Sequence, residues 1–128
     1  MNFLCGAARE IITPPVGTLL YGYQPDLAST SVHDDLTATA IAFSSGTDTA
    51  LLVSVTVGDI QTELDRALRA EMASACGVPA DRIILVPRTR TAGRTSAALR
   101  AGAGLTGHTS IPSCARRCAA PPDRRSMR

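Results

Sequence analysis

Few residues in this chain have the type and spacing for chemistry. His33, Asp34 and Asp35 run together and could form a ligand cluster, since imidazole and carboxylates all donate to a divalent cation. The plainer reading is a polar entry into a strand, with these side chains capping the local turn. Cys114 and Cys118 would make half a metal site, but a second pair at knuckle spacing is missing. Cys5 at the start of an apolar strand and Cys76 at a helix end read as small buried or incidental thiols. Tyr21-Gly22-Tyr23 follows a rigid turn, and a glycine between aromatics lets backbone approach a bound chain. Gly22 and Tyr23 are therefore the substrate-binding candidates, with a plain surface loop as the competing reading.

Charge divides the chain in two. Residues 1–86 hold four Arg against ten Asp and Glu, a balance of −6, whereas residues 87–128 hold nine Arg against Asp123 alone, a balance of +8. The overall +2 is the sum of these opposites, and the chain has no Lys. Residues 87–128 also carry four of the eight Pro and few aliphatics. Taken at face value this tail is a disordered polycation attracted to phosphate. It has no aromatic residue on which bases could stack, so specific single-strand nucleic-acid binding is not expected.

An Arg-only, Ala/Gly/Pro-rich stretch is also what GC-rich coding DNA gives when read out of frame. A residue fixes most of its codon, so the last base of one codon joined to the first two of the next spells the alternative frame. For Pro87 to Ser96, with Arg as CGN and Ser96 as TCN, this gives NCG-NAC-NCG-NAC-NGC-NGG-NCG-NAC-NTC, compatible with T-H-T-H-S-G-P-N-V. Gly102 to Ile111 likewise allows W-G-W-T-D-R-T-Y-I-D-S. Loss of one base just after the Val86 codon produces the observed tail.

The in-frame segments Gly6-Ala7-Ala8-Arg9-Glu10-Ile11-Ile12-Thr13-Pro14-Pro15-Val16-Gly17, Tyr21-Gly22-Tyr23, His33-Asp34-Asp35-Leu36 and Leu51-Leu52-Val53-Ser54-Val55 resemble the start of the neutral/alkaline non-lysosomal ceramidase family. In that family a strand like Arg82 to Val86 leads into a T-H-T-H-S-G-P motif, which the alternative frame supplies. The resemblance covers about residues 4–86. It implies a zinc-dependent hydrolase of the amide bond of N-acylsphingosine lipids, with a zinc ligand in that motif and the remaining ligands far downstream. Here Arg88 and Arg90 hold the positions expected of the two histidines, and a guanidinium cannot ligate a cation. No catalytic residue, metal site or bound cofactor is expected of the chain as written. The competing class is a small binding protein whose basic arm takes nucleic acid or anionic membrane without much specificity.

The elements that would position such residues read as an α/β unit, the amino-terminal part of a mixed-sheet hydrolase domain. Residues 2–12 form a first strand, ended by Thr13-Pro14-Pro15-Val16-Gly17, where two prolines remove ladder donors. Leu36 to Phe43 alternates as a second strand; a turn at Ser44-Ser45-Gly46-Thr47-Asp48 leads to a third, Leu51 to Val57, and the two form a hairpin. Leu51, Val53, Val55 and Val57 share one face. A helix over Glu63 to Cys76 has Thr62 as N-cap, with Asp65 completing a weak capping box, and Gly77 as its stop. Leu64, Leu68, Met72 and Ala75 line its buried side, and Asp65 pairs with Arg69. Gly77 to Asp81 connects to a last strand, Arg82 to Val86, by a right-handed crossover that makes a parallel pair. No apolar run reaches the ~18–20 residues of a membrane span, and no secretory leader precedes Cys5, so a cytoplasmic location is expected, although relatives are often exported.

Overall fold

The computed structural model describes residues 3–20, 24 and 26–88. They form a mixed four-stranded sheet with one helix, in the order β1 (Phe3–Ile11), β2 (Thr37–Ser45), β3 (Asp48–Val55), α1 (Thr62–Cys76), a 3-10 turn over Ala80–Arg82, and β4 (Ile83–Pro87). Strand order in space follows the sequence: β1-β2 and β2-β3 are antiparallel and β3-β4 is parallel. The expected hairpin and the expected parallel pair are both present. The portion of the tail beyond Arg88 falls outside the described residues.

The alternation of apolar residues becomes a one-sided core. Ala38, Ala40 and Ala42 of β2, Leu51, Val53 and Val55 of β3, and Ile83 of β4 are buried together with Leu64, Leu68 and Met72 of α1. Successive side chains of a strand point to opposite faces, so the buried set is every second residue. Val57, expected as the end of β3, lies beyond the strand, yet it is fully buried in the same cluster. A tight turn, with the Val57 N–H on the Val55 carbonyl at 2.9 Å, keeps it there.

The strand limits shift at the hairpin. Both strands extend to the turn, Ser45 pairs with Asp48, and only Gly46 and Thr47 remain as the loop. Gly46 has φ +64°, the left-handed backbone that two-residue hairpin loops demand and that glycine adopts without strain. Arg82, expected to open the last strand, instead closes the 3-10 turn, with its N–H on the Pro79 carbonyl at 2.9 Å. Its guanidinium reaches Asp48 at 2.6 Å and ties the start of β4 to the hairpin turn. Both groups are largely exposed, so this pair contributes at most ~1 kcal/mol.

The helix begins one residue earlier than expected, and its cap differs. Gln61 is the N-cap, Thr62 is already helical, and no side chain caps the end; the Asp65 N–H donates to the Gln61 carbonyl at 2.9 Å. The Thr62–Asp65 capping box is therefore not formed. Asp65 pairs with Arg69 one turn on, as its spacing implies. Gly77, at φ +72°, ends the helix with its N–H on the Ala73 carbonyl at 2.9 Å. Ala75 is only half-buried; Leu64, Leu68 and Met72 carry the packing, each contributing ~1.5–3 kcal/mol by leaving water. Among the described residues no helix is long and apolar enough to cross a membrane.

The opposite face of the sheet is also rich in apolar side chains. Strand register aligns Ala7, Ile41, Leu52 and Ile84 in one row across all four strands. Phe3 stacks on Phe43 at 6.2 Å, a diagonal contact between neighbouring strands on this same face. Phe3 and Ile84 are 67% and 61% exposed. Cys5 stands in this face and is exposed, so of the two readings, a small buried or an incidental thiol, the buried one does not hold for it. Cys76 is half-buried, and its thiol donates to the Met72 carbonyl at 2.8 Å.

Candidate functional site

Register brings one end of every strand to a single edge. Glu10 pairs with Ala38, Ala38 with Val55, and Val55 with Pro87, so these four residues form the last shared row. Just beyond it, the Thr56 N–H donates to the Thr37 carbonyl at 3.0 Å and the Arg88 N–H to the Val55 carbonyl at 2.7 Å. This is the carboxyl end of the parallel pair β3-β4, the end at which open α/β sheets collect ligands. Position 88 is thus seated at that edge by the backbone ladder, and its side chain is exposed.

The loop between β1 and β2 arrives at the same edge. The Ile12 N–H donates to the Leu36 carbonyl at 2.8 Å, extending the β1-β2 ladder by one bond. Thr13 then makes two contacts through one oxygen: its hydroxyl donates to Asp35 at 2.7 Å and accepts from the Leu36 N–H at 2.8 Å. Asp35 is fixed across a 22-residue separation, not by capping its own turn. His33 faces Asp34 at 3.4 Å with both side chains largely in solvent, while Asp35 is directed to Thr13. The three residues form a polar strand entry, and neither His33 nor Asp34 is packed against the rest of the edge.

In the sequence Thr13 belongs to a rigid turn and Asp35 to a local polar cluster. Their connection carries no spacing signal, because a hydroxyl and a carboxylate so far apart in sequence meet only through strand pairing. Between them the loop folds back on itself. Gly17, at φ +96°, donates its N–H to the Ser29 carbonyl at 2.8 Å; the Ser29 N–H returns to Thr18 at 2.9 Å, and Leu20 pairs with Leu27. Gly22 and Tyr23, the substrate-binding candidates, fall between Leu20 and Gln24, outside the described residues.

The donor set at this edge does not fit a zinc ion. Position 88 carries a guanidinium, which stays protonated and offers no lone pair, and Arg90 lies outside the described residues. Among the described residues no group of three or more His, Cys, Asp or Glu side chains is gathered closely enough to hold a metal. What the edge offers is one oriented carboxylate, two exposed groups at His33 and Asp34, and a strand end.

No protein-family model matches the chain. No curated protein matches it either.

Proposed function

We propose that this chain is the amino-terminal part of a ceramidase-like amidohydrolase whose reading frame is lost after Val86, and that the chain as written is inactive. The observation that carries this reading is positional. The alternative-frame text T-H-T-H-S-G-P begins where β4 ends, at the carboxyl edge of the parallel pair. A strand in that place delivers alternate side chains in a fixed direction, so a His-x-His pair following it would present both imidazoles on one side. The composition break at the same point and the order of the in-frame segments add to this reading.

The substrate class proposed for the intact relative is an N-acylsphingosine-type lipid, cleaved at its amide bond to a fatty acid and a sphingoid base. Zinc belongs to that intact protein; the shifted frame reads Arg88-Thr89-Arg90-Thr91 in place of Thr-His-Thr-His, which removes the imidazoles instead of modifying them, and the guanidinium groups offer no lone pair to a cation.

The test is to sequence the coding DNA around the Val86 codon and to produce the protein with one base restored there. The expected result is a frame that runs well beyond residue 128, with Thr-His-Thr-His at positions 88–91, so that the histidines fall where Thr89 and Thr91 stand and not, as expected, at Arg88 and Arg90, together with stoichiometric zinc and hydrolysis of a ceramide substrate. A stop codon within a few dozen codons of the repaired site, or a full-length repaired protein without zinc, would overturn the assignment.

A further inference from the structure

We draw no further inference here: the strongest candidate, the apolar open face of the sheet on which Ile41, Leu52 and Ile84 are aligned opposite the helix-covered core, carries nothing because nothing in the structure shows what covers it.

Discussion

The backbone N–H of Arg88 donates to the carbonyl oxygen of Val55 at 2.7 Å, so the β3-β4 ladder runs one residue past Pro87 and seats position 88 at the edge of the sheet. Pro87 can occupy the preceding position although it has no N–H to donate, as prolines do at strand ends and edges. A side chain at 88 therefore starts from an ordered backbone position, and its chemistry decides what that edge can bind.

Placing imidazole there without the rest of a site is insufficient. The double variant Thr89→His/Thr91→His in the 128-residue chain, which places the two imidazoles where the restored frame has them, is expected to retain no stoichiometric zinc after gel filtration and to show no ceramide hydrolysis, because two ligands fall short of the three or four that hold zinc. Metal analysis of the eluted protein checks this. Tight one-to-one zinc on that variant would show that the missing ligands lie within this chain and not downstream.

Met72 of α1 is fully buried in the cluster that joins the helix to the sheet. Met72→Ala is expected to destabilise the fold by ~2–5 kcal/mol, the range for emptying a buried long side chain. Urea denaturation followed by circular dichroism reads the loss as a lowered midpoint. A change below about 0.5 kcal/mol would mean that α1 is not docked through this residue.

Thr62 is a contrasting case on the same helix. A true N-cap threonine loses ~1 kcal/mol on conversion to alanine, but Thr62 is already helical and its side chain caps nothing. Thr62→Ala is therefore expected to leave stability within about 0.5 kcal/mol of the parent. A loss of 1 kcal/mol or more in the same urea experiment would restore the capping role.

Protease sensitivity tests where the folded part ends. Arg66 and Arg69 belong to α1, and Arg69 is held by Asp65, whereas Arg94 and Arg100 belong to the composition that follows the break. Limited trypsin digestion with mass spectrometry is expected to cut at Arg94 and Arg100 well before Arg66 or Arg69. Equal rates at the two sets would contradict a folded unit over residues 3–88.

The elements themselves were legible in the chain because each rests on local rules. Alternation along Ala38-Ala40-Ala42 and Leu51-Val53-Val55 marks half-buried strands, a helical spacing joins Leu64, Leu68 and Met72, Gly77 supplies the left-handed stop, and Asp65 with Arg69 is a one-turn neighbour pair. The break after Val86 was equally a property of sequence, since it is written in charge and composition. Only the tertiary structure decided that Thr13 holds Asp35, that Arg82 reaches Asp48, that Cys5 stands exposed in the open face, and that Arg88 is seated on Val55. Each of these joins residues brought together by strand register, and register is set by the whole sheet burying one face at once, not by any short stretch of residues.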